Sequence, residues 1–313
     1  MRKQNILCML FLLPAVLTAC GQKQGSSEPV VQEKAETVQA EEYAAAASDV
    51  ASDADFAAEA VRDPRLMVST AAELISSISP DAHIILKSGT YNFSALTRKE
   101  IDACGAYVDK DGLIQGEFSV YNAPGLILEA EEHGTVRLVT ENGYTEVVTL
   151  SYCDGAQLKG VILGHEIEKG ECDADVLKLA TSQSVTIEDC GLFGCGSYGI
   201  QAENSSGLSV TGTEIYECTN GILFMNDTED AVFERCRFYD NAGMFFLWGD
   251  TDVRIRNSEI SRNEGTLMYA GSSTCDEPDT MVLRFQGCTF QDNPDMGAPE
   301  DWPGAAFEDC RIK

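Results

Sequence analysis

The sequence predicts an all-β solenoid of stacked coils, and three observations predict it. The first is a five-point pattern that recurs through the second half of the chain. Its rungs are Val185, Ile187, Cys190, Leu192, Cys195, then Leu208, Val210, Thr213, Ile215, Cys218, then Ala231, Phe233, Cys236, Phe238, Asn241. Two more follow at Val253, Ile255, Ser258, Ile260, Asn263 and at Leu283, Phe285, Cys288, Phe290, Asn293. The rungs lie 23, 23, 22 and 30 residues apart and all five positions move together, as coils do when each buries its apolar face on the next. The second observation is a glycine ladder, Gly199, Gly221, Gly243 and Gly265, spaced by 22 residues and opening four apolar strands. Each glycine is expected at a bend that a side chain would hinder. The third is the file Asn241, Asn263 and Asn293, whose amides can bond between coils about 4.8 Å apart.

In chain order, residues 1–19 read as an export signal. Arg2 and Lys3 supply the positive end, and the apolar run from Ile6 to Leu17 is too short to span a bilayer. It ends in Leu17-Thr18-Ala19-Cys20-Gly21, which resembles the lipobox of bacterial lipoproteins. That resemblance implies cleavage before Cys20, lipidation of Cys20, and a chain anchored on the outer side of a bacterial membrane without spanning it. Residues 20–62 are rich in Ala, Glu, Gln, Ser and Asp with little to bury, and read as a disordered tether. Residues 63–313 are ample for one β domain.

The chain carries 22 basic and 51 acidic residues, a net charge of −29. Loss of Arg2 and Lys3 with the signal makes it −31. Nucleic acid, which needs a basic footprint, is excluded as a partner. A polyanionic sugar is repelled unless cations such as calcium bridge the two.

The folded part opens with Thr70-Ala71-Ala72-Glu73, a capping box before the apolar residues Leu74, Ile75 and Ile78. A short helix there would cover the open first coil, whose strand edges are otherwise unpaired. A strand at His83-Ile84-Ile85-Leu86-Lys87 and a turn at Ser88-Gly89-Thr90-Tyr91 follow. Cap helix, strand and Gly-Thr-Tyr in this order resemble the start of right-handed parallel β-helices of the pectate-lyase superfamily. The resemblance covers residues 66–313 and implies a right-handed parallel β-helix with about 22 to 30 residues per coil and a short N-terminal capping helix. Looser coils join this start to the repeats: Leu126 and Leu128 lead to Ala156, Leu158, Val161 and Leu163, and those to Val185 and Ile187. Ala305, Phe307, Cys310 and Ile312 continue the register to the end.

Twelve cysteines in an exported chain raise the question of disulfides. Cys190, Cys236, Cys288 and Cys310 share one inward rung with Thr213 and Ser258, which reads as a small-residue position holding buried free thiols. Adjacent-coil spacing leaves Cys195–Cys218 and Cys288–Cys310 open as pairs, and Cys153–Cys172 flank one loop as a third. No Cys-x-x-Cys or Cys/His zinc spacing is present.

Three groups of residues escape the repeat. Asp173 and Asp175 stand where members of the superfamily carry catalytic or calcium-binding acids, and with Lys178 on the same strand and His165 as a general base they form the candidate catalytic set. The turns holding Asp227, Asp230, Asp250 and Asp252 stack acids on one flank and form the candidate calcium set. The strands after Gly221 and Gly243 are apolar at both parities, so Leu223, Met225, Phe245, Leu247 and Tyr269, or their alternates, form an outward stripe suited to sugar rings or a protein partner. The stripe's simplest cover is the chain's own loop, at residues 92–123 or 271–280. The reading that follows is a membrane-anchored surface lipoprotein presenting a β-helix for glycan or protein binding without catalysis. The alternative is a polysaccharide lyase or glycoside hydrolase acting on an extracellular polysaccharide.

Overall fold

The computed structural model describes residues 65–194, 196–271, 281–302 and 304–313. The signal, Cys20, the tether, Cys195 and the 272–280 part of the candidate covering loop lie outside the described residues.

All named strand pairs are parallel, and the strands form sheets of ten, seven and nine members among the described residues. Sheet A runs from Leu66–Val68 to Ala305–Glu308, sheet B from Gly89–Asn92 to Arg311–Ile312, and sheet C from Phe118–Tyr121 to Met268–Gly271. The repeat maps onto this arrangement point by point. Ile187, Val210, Phe233, Ile255 and Phe285 pair in succession on sheet A. Leu192, Ile215, Phe238, Ile260 and Phe290 do so on sheet B. All ten are buried in one continuous core, because alternate strand residues point inward and each coil supplies the floor for the next.

Of the remaining three points, the first, from Val185 to Leu283, is buried at the sheet-A strand start, and the other two sit at corners. At each corner a residue takes the left-handed conformation, such as Asp189, Asp240 or Thr181, and a small residue after it points inward. That inward side chain accepts the corner N–H of the preceding coil. Between sheets A and B, Cys190 N–H donates to Thr213 Oγ1 at 3.3 Å and Cys236 N–H to Ser258 Oγ at 3.0 Å. Between B and C, Cys218 N–H donates to Asn241 Oδ1 at 3.0 Å, Asn241 N–H to Asn263 Oδ1 at 3.1 Å, and Asn263 N–H to Asn293 Oδ1 at 2.9 Å. Between C and A the same task falls to Ser182, which accepts from Cys153 N–H at 3.0 Å, and to Ser205, which accepts from Ser182 N–H at 3.2 Å.

The cysteine rung follows from this device. Cys190 Sγ donates to Leu158 O, Cys236 Sγ to Val210 O and Cys288 Sγ to Ile255 O, each a carbonyl of an earlier coil. Burial pushes these thiols up, Cys190 to about 12 and Cys236 and Cys288 to about 11, so they stay protonated and unreactive. Cys288 and Cys310 face each other on adjacent coils as thiols, and Cys153 and Cys172 are not joined either. Cys218 is likewise a buried thiol, its Cys195 partner lying outside the described residues.

The N-terminal cap forms as Ala71–Ser77, with Thr70 Oγ1 accepting Glu73 N–H at 3.1 Å. Glu73 reaches back one residue further than a capping box requires, accepting from Ser69 N–H at 2.7 Å. Gly89–Asn92 is a strand and not the turn expected there. Tyr91 is fully buried, and its hydroxyl donates to Val68 O at 2.8 Å, which ties the first strands of sheets A and B together. Residues 93–115 form three short helical segments that pack at this end, against Ala71–Ser77, Phe118–Tyr121 and Val136–Thr140.

The glycine ladder has a different origin from the one expected. Of the four, Gly265 alone adopts a positive φ, +73°. A Cβ on Gly243 would sit 2.1 Å from Asn220 O, so close coil-to-coil approach, and not a bend, excludes a side chain there.

Replacing Asn263 by Ala strips the acceptor from Asn241 N–H and the donor from Phe238 O, 2.9 Å away, inside a dry core. The expected loss is about 3 kcal/mol, read from the urea midpoint of unfolding of the β-helix. A loss under about 1 kcal/mol would mean the amide file does not carry the corner.

Candidate functional site

Strand alternation divides sheet C into an inner and an outer face, and the outer face is the unusual one. One outward row runs Ser119, Thr149, Lys178, Gln201, Phe224, Phe246 and Tyr269 through successive coils. Beside it run Tyr121, Ser151, Ala180, Glu203, Asn226, Trp248 and Gly271. The first row changes character along the solenoid, from polar and charged to aromatic, and the second places Trp248 beside its aromatic end.

The aromatic end is a stack. Phe246 and Tyr269 lie with centroids 4.6 Å apart at 18°, and Phe224 and Trp248 5.8 Å apart at 23°. Tyr198, at the start of its strand, sets its ring 5.3 Å from Phe224 and 5.0 Å from Phe246. Trp248 lies across the Gly271 backbone, where a Cβ would come within 2.4 Å of its ring. That glycine keeps the indole flat against the sheet. The rings are half-buried, and Tyr269 is 45% exposed.

This differs from the other outward aromatic row, on sheet B. There Tyr216 and Tyr239 stack in parallel at 5.0 Å, Arg237 and Arg262 lie over Tyr239, and its hydroxyl donates to Glu214. Cations and a carboxylate close that row. On sheet C no cation lies over a ring among the described residues, and the rings pack on one another instead.

The polar end begins at Tyr198. Its backbone N–H donates to Asp175 Oδ1 at 3.0 Å, and Asn220 donates to its hydroxyl at 2.7 Å. Burial raises Asp175 to about 7, outweighing the Tyr198 hydrogen bond; Glu146 raises it further. Lys178 Nζ lies 3.5 Å from Glu146 Oε1. Burial also raises the Glu117 carboxyl, again with Glu146 adding to it. Glu203 accepts from Gln201 Nε2 at 2.7 Å on the same face.

The predicted residues distribute as follows. Asp175 and Lys178 belong to this polar end. Asp173 is exposed, its N–H held by Gly143 O at 2.8 Å. His165 is buried at the end of a sheet-B strand, with Nε2 donating to Thr145 O at 2.9 Å, and burial keeps it neutral by lowering its pKa. It therefore presents no base to the surface.

The stripe has the opposite parity from four of its five expected members. Leu223, Met225, Phe245 and Leu247 are fully buried core residues, and Tyr269 alone faces outward. Their neighbours Phe224, Phe246 and Trp248 are the outward residues. The deciding signal was one coil earlier: Gln201 and Glu203 are polar at the parity that pairs with Phe224 and Asn226. Tyr198, Glu117 and Glu146 were missed because they lie before their strands' alternation begins.

Of the calcium candidates, Asp230, Asp250 and Asp252 line one surface pocket with Glu229, but arginines and backbone occupy oxygens of the candidate set. Asp230 and Asp252 both pair with Arg254, Asp252 also with Arg284 at 3.4 Å, and Asp227 Oδ1 accepts Asp250 N–H at 3.1 Å. Among the described residues no group of three or more His, Cys, Asp and Glu side chains has a metal-holding arrangement. Also among them, no helix is long and apolar enough to cross a membrane.

Residues 166–312 match the family model described as right handed beta helix region. The fold is a right-handed parallel β-helix. No curated protein matches the chain. Among solved structures, similarity is found to a pectin methylesterase from Yersinia enterocolitica at 12% identity, covering 69% of this chain and 62% of that one, with a TM-score of 0.39. An alginate lyase from Paenibacillus aligns at 9% identity over 79% of this β-helix chain and 99% of its own, with a TM-score of 0.41. A pectate lyase aligns at 11% identity over 80% and 77%, with a TM-score of 0.43. The chain spans about 60% of the length of the first pectin methylesterases it matches. At these values none of these likenesses bears on the chemistry of this β-helix.

The raised Asp175 sets a pH dependence. Because its folded pKa lies above the ordinary 3.8, the folded state holds the proton longer, and stability falls as pH rises from about 4 to about 7, then levels. Asp175→Asn keeps the acceptor for Tyr198 N–H and removes the titration. Its urea midpoint relative to wild type should therefore climb across that window, and a constant difference would refute the assignment.

Proposed function

We propose that this protein is a surface lipoprotein whose β-helix binds a glycan along the outer face of sheet C. The observation that carries the reading is the outward aromatic stack of Phe224, Phe246, Trp248 and Tyr269, over which no cation lies among the described residues, joined by Tyr198 to a polar end. Flat aromatic faces bury the apolar faces of sugar rings. Neighbouring amides, hydroxyls and carboxylates take the sugar hydroxyls. The coils repeat about every 4.8 Å, so an extended chain lying along the solenoid axis meets several rings at once. The pairing of Lys178 with Glu146 and the raised Asp175 favour a second reading in which the same face cleaves the glycan it holds.

Calorimetric titration of the full chain against a panel of oligosaccharides tests the reading. Trp248→Ala and Phe246→Ala should each weaken binding about tenfold, the weight of one well-placed aromatic contact. Unaltered affinity in both variants would overturn the platform. The same incubations, assayed for new reducing ends or unsaturated products, test cleavage. The anchor rests on Leu17-Thr18-Ala19-Cys20. The mature N-terminus should be a lipidated Cys20 by mass spectrometry, and Cys20→Ser should release the protein from membranes.

A further inference from the structure

The charges at the polar end of sheet C bear on which glycan this face takes. Glu117, Glu146, Asp175 and Glu203 stand there, and among the described residues one cation faces them, Lys178, already paired with Glu146 at 3.5 Å. Glu203 lies in the same outward row as Trp248, with Asn226 between them, so its carboxylate is about 10 Å from the indole along the coil axis. In the parallel row the buried Thr149 hydroxyl lies beside the Glu117 carboxyl, whose ionised form it favours by hydrogen bonding against the burial that disfavours it. The chain as a whole carries a net charge of −29, which repels uronates and sulfated sugars and draws cations.

Resting on the glycan-binding reading above, we infer that the ligand is a polysaccharide bearing free amino groups, its rings on the aromatic rows and its ammonium groups against Glu146 and Glu203. An incoming cation relieves the mutual repulsion of these carboxyls, and an N-acetyl group or a uronate in its place does not. The aromatic rows serve any sugar; the carboxylates select the charged one.

The test titrates the full chain, at mildly acidic pH, with three oligosaccharides of equal length: glucosamine, N-acetylglucosamine and galacturonate oligomers. The glucosamine oligomer should bind about tenfold more tightly than its acetylated counterpart, with the advantage shrinking as salt rises. Glu203→Gln should cut that preference several-fold, while Glu188→Gln, on the outer face of sheet A, should leave it unchanged. Equal affinity for the amino and acetyl forms, or tighter binding of the uronate, would overturn the charge inference and leave the platform standing. Binding of none of the three would remove both.

Discussion

A polypeptide that closes each coil with three corners must bury a backbone N–H at each corner, where water cannot reach it. An orphaned group there costs on the order of 1–3 kcal/mol, and three per coil over many coils would leave no stable fold. This chain meets the demand with a side chain from the next coil: Thr213 and Ser258 at one corner, Asn241, Asn263 and Asn293 at the second, Ser182 and Ser205 at the third. Each acceptor follows a residue in the left-handed conformation, which aims it inward. The device works only when successive coils stay in register, so it stabilises the stack and sets its phase.

The outer surface inherits that phase. Once the corners fix which residues point inward, strand alternation leaves Gln201, Phe224, Phe246 and Tyr269 on the outside whatever their hydrophobicity. Exposing rings costs solvation free energy, and on sheet B the chain offsets it with Arg237, Arg262 and Glu214 around Tyr239. On sheet C no such cation lies over a ring among the described residues, and carboxyls stand at the other end of the same face. Two faces of one solenoid thus treat aromatic residues in opposite ways.

Most of the fold was legible in the sequence because a solenoid repeats one local solution, and Ile187, Cys190 and Leu192 recur with their chemistry intact. Less of the site was legible, for two physical reasons. In Gly221–Asn226 and Phe245–Trp248 both parities are apolar, so hydrophobicity could not say which face was buried; the core took the aliphatic residues and Phe245, and left the flatter rings outside. Acids at turns, such as Asp227 and Asp252, look alike whether they converge on an ion or meet arginines, and only the register that brings Arg254 beside Asp230 distinguishes the two. His165 failed as a base because it ends a buried strand with Nε2 held by Thr145 O, while its neighbour Glu166 pairs with Arg137.

The claim that the outer face of sheet C is the ligand site rests most directly on Trp248, one of two tryptophans in the chain. Trp302→Phe leaves its fluorescence as the sole indole signal. Titration with an oligosaccharide shown to bind should then shift or quench that emission saturably, with a midpoint equal to the calorimetric one. Binding heat accompanied by unchanged Trp248 emission would place the ligand elsewhere and contradict the account.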